Sequence, residues 1–230
     1  MIPYRLHFLV LLGIFLFNST IFSQVYIGFK GGINQSKSTY IFNVDPALIV
    51  NTGDLYGFHF SVPLEIQVND FFNFLPEVVV ASEGSVLTVQ VLEEIRTYNN
   101  AIIFAKLPLM GKLKLLKNKN YEFGVVAGIV PAFAVDVNSH YFASSDWGRS
   151  VDVAVDFEEA GIRRFDLGLS VGLNTEKVIA KGWKIMLDVR YNLGMLDIET
   201  HSDLTMTSES YSLTVGILTP LFKRNDLMNL

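Results

Sequence analysis

The sequence predicts an all-β protein: an eight-stranded antiparallel up-and-down transmembrane β-barrel behind a cleaved N-terminal signal peptide. Three observations carry that prediction. Apolar residues recur at every second position in eight separate segments. The connections between those segments alternate long and short along the whole chain. A short apolar run behind a basic residue opens the sequence.

Arg5 and the apolar run Leu6–Phe17, followed by the polar stretch Asn18–Ser23, have the form of a secretory signal. Cleavage is expected between Ser23 and Gln24, and the run is too short to cross a bilayer as a helix. No cysteine occurs, so a lipid-anchored N-terminus, a disulfide framework and a thiolate nucleophile are not expected. The expected organisation is a signal peptide over 1–23, one barrel over 24–222 and a short polar tail over 223–230.

The first strand is predicted at about 25–34, where Val25, Ile27, Phe29 and Ile33 alternate with Gly28, Lys30, Gly32 and Asn34. The second covers about 56–67, with Phe58, Phe60, Val62 and Leu64 opposite His59, Ser61, Pro63 and Glu65. The third, about 71–82, opposes Phe72, Phe74, Val78 and Val80 to Asn73, Glu77 and Ala81. The fourth, about 101–115, sets Ile103, Leu107, Leu109 and Leu113 against Lys106, Lys112 and Lys114. The fifth, about 120–134, sets Tyr121, Phe123, Val125 and Ile129 against Glu122, Gly124 and Gly128. The sixth (about 164–174), seventh (183–193) and eighth (211–221) put Asp166, then Asp188 and Arg190, then Ser212 and Thr214 opposite continuous apolar faces. Pro63, Pro76, Pro108 and Pro131 fall inside these segments and predict bulges or strand ends, because proline donates nothing to a ladder.

Most of these segments match the 9–11 residues a tilted strand needs to cross a membrane. Long connections at 35–55, 83–100, 135–163 and 194–210 alternate with short ones at 68–70, 116–119 and 175–182. Membrane barrels sort long extracellular loops from short periplasmic turns in this way. Aromatics fall at both ends of the strands, as two interfacial girdles require. SVDVAVDF (Ser150–Phe157) also alternates, and reads as a hairpin arm above the membrane or as extra strands.

Composition narrows the function. Only 18% of the 230 residues are charged, against roughly 25% in soluble domains, and 50% are hydrophobic. A net charge of -5 excludes a basic nucleic-acid footprint. The inward faces collect Lys30, Glu65, Glu77, Lys106, Lys112, Glu122, Asp166, Asp188 and Arg190. An eight-stranded interior is just wide enough for side chains to fill. The expectation is a structural lumen network in which Lys30 meets Glu65 or Glu77, with Gly28 and Gly32 making room; a narrow ion path is the alternative. His59, Ser61 and Glu65 share one strand face, but neighbours along a face project side by side, and no nucleotide, metalloprotease or hydrolase motif is present. No enzyme activity, cofactor or metal is expected. The long loops are acidic, and Asp152, Asp156, Glu158, Glu159, Asp197 and Glu199 form the expected partner surface.

The opening IGFKGGIN (Ile27–Asn34), GFHFSVPLEIQVNDFFNFLPEVVVAS (Gly57–Ser82), AKLPLMGKLKL (Ala105–Leu115), DLGLSVGL (Asp166–Leu173) and DVRYNLGMLDI (Asp188–Ile198) resemble PorT-type outer-membrane β-barrel proteins of Bacteroidetes-type bacteria. That resemblance implies a small barrel like OmpA and OmpX, and for some relatives a link to type IX secretion. It carries over no catalytic residue. The tail KRNDLMNL (Lys223–Leu230) departs from it, since such barrels commonly end at an aromatic residue. The whole predicts a monomer in outer-membrane lipid, with a structural, adhesive or assembly role that meets envelope or secretion proteins through the long loops. A transport barrel and a lipid-modifying enzyme are the alternative functions. A soluble lipocalin-like barrel is the rival fold.

Overall fold

The computed structural model describes residues 24–42, 49–91, 94–143, 150–153, 161–198 and 204–222. The expected signal peptide and polar tail lie outside them. Among the described residues, ten strands form one antiparallel sheet: β1 (Val25–Phe42), β2 (Ile49–Gln67), β3 (Phe72–Val91), β4 (Glu94–Lys106), β5 (Leu109–Lys117), β6 (Tyr121–Ala143), β7 (Ser150–Val153), β8 (Phe165–Val178), β9 (Lys184–Gly194) and β10 (Leu204–Phe222). The sheet closes because β1 pairs with both β2 and β10.

β4 and β5 share one place in the ring, each lying between β3 and β6. The break between them is Leu107–Pro108, and the ladder is patched there by Leu107 N–H donating to Pro131 O (2.9 Å) and Glu77 N–H donating to Pro108 O (3.0 Å). Pro108 thus ends a strand as expected. The other three prolines sit within strands, in register with Glu77, Leu109 and Leu167. β7 lies outside the ring and pairs only with the far end of β6. Of the alternating segment Ser150–Phe157, residues 150–153 form this arm beside β6, and 154–157 lie outside the described residues.

The register sets the shape. From Gln35 the pairing runs through Tyr211, Tyr191, Val171, Ala127, Gly111, Phe74 and Ile66, and returns to β1 at Val25, a stagger of ten residues. With strands about 4.8 Å apart and a rise of about 3.3 Å per residue, eight staves and this stagger give a tilt of about 40° and a backbone radius of about 8 Å. Each residue then climbs about 2.5 Å along the axis, so Leu221 to Tyr211 spans about 25 Å, the height of the apolar band of such barrels.

Outward side chains make that band. Phe29, Phe60, Val78, Leu113, Ile129, Leu169, Val171, Leu173, Val189, Leu213 and Val215 are all exposed large apolar residues. Tyr121, Trp183 and Phe71 border it at the short-turn end; Tyr56, Phe133, Phe165 and Tyr211 border it at the other. Tyr191 stacks on Tyr211 at 4.9 Å between ring centroids and donates to Glu209 (3.0 Å).

The strands are longer than the apolar alternation suggests. β3 continues from Val80 to Val91 and β6 from Val135 to Ala143, roughly 20 Å or more beyond the band. Much of the sequence expected as long loop is therefore strand. β8 and β9 stop at Phe165 and Gly194, so the wall is high on one side and low on the other.

Glycines bring the staves close. At Gly28 and Gly32 the space is first for the neighbouring backbone, since a Cβ would lie 1.9 Å from Ile217 O and 2.0 Å from Leu213 O; at Gly28 the buried Leu218 side chain also comes within 2.9 Å, as room for a bulky neighbour requires. It is Gly216 and Gly172 that clear space for inward cations, since Cβ atoms there would meet Lys30 Cγ at 2.6 Å and Arg190 Cγ at 2.8 Å. Gly172→Ala is expected to destabilise the barrel by about 1–3 kcal/mol, because its Cβ would lie 2.2 Å from Val189 O and force the β8–β9 ladder apart as well as displacing the Arg190 stem, measured by urea unfolding in vesicles.

Candidate functional site: the charged lumen

The lumen is built from alternate residues of every stave, because each strand turns every second side chain inward. Its charges fall into three layers. Nearest the short turns, Lys184 Nζ donates to Glu65 (2.6 Å) and Glu176 (2.7 Å). Lys112 pairs with Glu176 and with Glu122, the latter at 2.5 Å. Asn73 donates to Glu65 (2.8 Å), and the Lys184 ammonium also lies 4.1 Å from the centroid of the Tyr26 ring. Glu65, Glu122 and Glu176 present carboxylate oxygens within 4.8 Å of one another, a grouping that suits a metal ion, but the two lysine ammoniums already sit among them.

The middle layer is a closed square of charge. Lys30 Nζ donates to Glu77 (2.9 Å) and Asp188 (2.7 Å). Arg190 Nη2 donates to the same two carboxylates at 2.6 and 2.7 Å. Asn174 donates to the other oxygen of Asp188 (2.9 Å). Lys30 therefore reaches Glu77, one of its two expected partners, and Asp188, which lies one strand away across β10. Leu75, Met110 and Val126 pack together as a buried apolar group, so the interior is not charged throughout.

In the third layer Lys106 pairs with Glu83 (2.6 Å), which also accepts from Ser210 (3.0 Å). Asp166 accepts from Ser208 (3.3 Å) and from Leu196 N–H (3.4 Å). Above it, Ile102, Phe104, Ala132, Ala134, Val137 and Met206 form an apolar layer with Ile162 and Ile198. Those two isoleucines come from segments between strands, held by Arg163 N–H to Ile198 O (2.8 Å) and Ile198 N–H to Met206 O (3.0 Å).

All nine inward charges expected from the sequence line the lumen, joined by Glu83, Lys114, Glu176 and Lys184. Glu83 and Glu176 follow the inward parity of Glu77 and Asn174, one or two residues past the expected strand ends. Lys184 shares parity with Asp188 and Arg190. His59 and Ser61 are buried on the lumenal face of β2, yet neither His59 Nε2 nor Ser61 Oγ hydrogen-bonds to the protein, and Glu65 is engaged by Lys184 and Asn73. The strand does not bring these three into a catalytic relay. Of the acidic loop residues, Asp197 is tied down, its Oδ1 accepting from Met206 N–H (2.9 Å). Asp156, Glu158, Glu159 and Glu199 lie outside the described residues, and Asp152 falls within β7.

A closed antiparallel barrel with an apolar outer band, two aromatic borders and a charged, filled lumen is a small outer-membrane β-barrel. Residues 18–200 match the family described as outer membrane protein beta-barrel domain, and the chain belongs to that family. Its place is the outer membrane. No curated protein matches the chain. Among solved structures, the outer membrane protease OmpT of Escherichia coli is 10% identical, with 89% of this chain and 99% of that one covered and a TM-score of 0.51. The outer membrane protein OprG of Pseudomonas aeruginosa is 11% identical over 88% of this chain and 97% of that one, with a TM-score of 0.48. Neisserial surface protein A is 10% identical over 85% and 96%, with a TM-score of 0.47. At these identities the likeness is one of fold.

Proposed function

We propose that the barrel is a non-enzymatic anchor whose work is done by the segments it carries above the lipid, in a structural, adhesive or assembly role linked to protein secretion. The observation that supports this most is the filling of the lumen: three ion-paired layers, then an apolar layer beneath the loop side. A filled interior favours a stake in the membrane over a conduit, and the high wall of β3, β4 and β6 offers surface to a partner. The PorT-type resemblance is what suggests a secretion assembly, and the acidic loop residues are the proposed contact. The barrel acts as a monomer in outer-membrane lipid.

A pull-down from envelope extracts, run in parallel with a variant lacking residues 154–160 and 199–203, tests this reading. A partner captured by the full chain and lost by the variant supports it; a partner retained by the variant refutes the loop contact. In planar bilayers the purified barrel is expected to show no stepwise conductance, and steady steps at low voltage would favour the transport reading instead.

A further inference from the structure

The turns that join the strands at the short-turn end are basic. Four lysines are exposed there: Lys117 and Lys119 at the β5–β6 turn, and Lys177 and Lys181 at the β8–β9 turn. Among the described residues of these turns and of the β2–β3 turn, the one exposed acid is Asp70, 3.3 Å from Lys117. We propose that Lys119, Lys177 and Lys181 form a seat for the headgroup of an anionic phospholipid in the leaflet on the short-turn side.

The fold gathers these lysines on one side of the ring. β6 pairs with β8, so the turn before β6 and the turn after β8 are neighbours. Tyr121 stands in register with Lys177, and Val178 N–H donates to Asn120 O (2.8 Å), which ties the two turns together. Lys177 has the parity opposite to the inward Asn174 and Glu176, so it is on the lipid face of β8. Its ammonium lies 5.3 Å from the centroid of the exposed Tyr121 ring, a cation–π contact made at the aromatic border itself. Trp183, also exposed, closes the β8–β9 turn, its carbonyl accepting from Ile179 N–H (2.7 Å).

Position favours a lipid over a soluble partner. Tyr121, Ile179 and Trp183 carry the exposed apolar face right up to the lysines, so a phospholipid whose chains lie along the band brings its phosphate to their level. Lysine stems can lie along that apolar surface while the ammoniums stay at the headgroups. The buried acids nearby do not neutralise these lysines, because Glu122 and Glu176 are paired with Lys112 and Lys184. Lys181 adds an observation of its own. It holds a left-handed backbone (φ 61°), followed by Gly182 at 83°, so the tip of the turn carries a lysine where glycine or asparagine would fit with less strain. Basic residues beside a bilayer attract anionic lipid, and each lysine near the surface contributes about a fivefold gain in affinity.

Trp183 reports on the seat from within it. In a Trp147→Phe background it is the sole tryptophan. Its quenching in phosphatidylcholine vesicles, by brominated phosphatidylglycerol in one set and brominated phosphatidylcholine in another, measures which lipid occupies the site. The expected preference for phosphatidylglycerol is about fivefold or more, and it should fall as salt is added. Lys119→Gln, Lys177→Gln and Lys181→Gln combined, all at exposed positions, should keep the heat-modifiable gel mobility of the folded barrel and bring the preference close to one. Lys37→Gln, at the loop end of β1, should leave it unchanged. Equal quenching by the two lipids, or a preference that survives the triple variant, would overturn the proposal. Equal quenching together with binding of poly-glutamate that the triple variant loses would assign the lysines to an acidic periplasmic polymer instead.

Discussion

Replacing Arg190 by methionine should lower the unfolding free energy by about 3–5 kcal/mol, the usual cost of removing one partner from a buried charge network. Arg190 Nη2 bridges Glu77 and Asp188, and Lys30, one strand away across β10, bridges the same two acids. Without the guanidinium, two carboxylates share one ammonium in a space sealed on all sides by staves. Adding Glu77→Gln removes the orphaned charge and leaves Lys30 with Asp188. The double variant should therefore be more stable than Arg190→Met alone, although two native groups are gone. Urea unfolding in phospholipid vesicles, followed by the fluorescence of Trp183 at the short-turn border, measures both. If the double variant is the less stable by the sum of the two single effects, the four groups do not act as one network.

How far this network can be read from sequence depends on what each residue reports. Inward direction is local: Lys30, Glu77, Asp188 and Arg190 alternate with lipid-facing apolar neighbours, and period two alone places them in the lumen. Partnership is not local. Lys30 and Asp188 meet because β1 and β9 both pair with β10, Lys30 in register with Gly216 and Gly216 with Met186, and nothing near either residue encodes that register. Strand length fails for a related reason. Alternation is visible only where one face touches lipid, so β1 beyond Ile33, where Gln35, Ser36, Lys37, Ser38 and Thr39 are polar on both faces, reads as loop although its ladder with β10 continues to Phe42. The same truncation hid Glu83 and Glu176 just past the expected ends of their strands. The break at Pro108 was legible because proline's missing donor is a property of the residue itself.

Arginine at Val215 should be far costlier than arginine at Leu221, although both positions are on the lipid face of β10. Val215 is 55% exposed and Leu221 45%, so solvent accessibility does not separate them. Depth does. By the tilt and stagger of the ring, Val215 sits near the middle of the apolar band, while Leu221 lies at its short-turn border with Trp183 and Tyr121. A charge at the midplane of a membrane barrel costs about 2–4 kcal/mol, and one near the interface about 0–1 kcal/mol. The flexible arginine stem lets the interfacial guanidinium reach headgroups, which the midplane position is too deep to allow. Val215→Arg should thus lose about 2–4 kcal/mol in vesicles and much less when unfolded from a short-chain detergent micelle, where water lies closer. Thr214, its inward neighbour, provides the control: Thr214→Val changes a lumenal contact and should give the same modest effect in both media. Equal costs at Val215 and Leu221 would mean that the ring is not tilted as its register requires, or that the band does not face lipid.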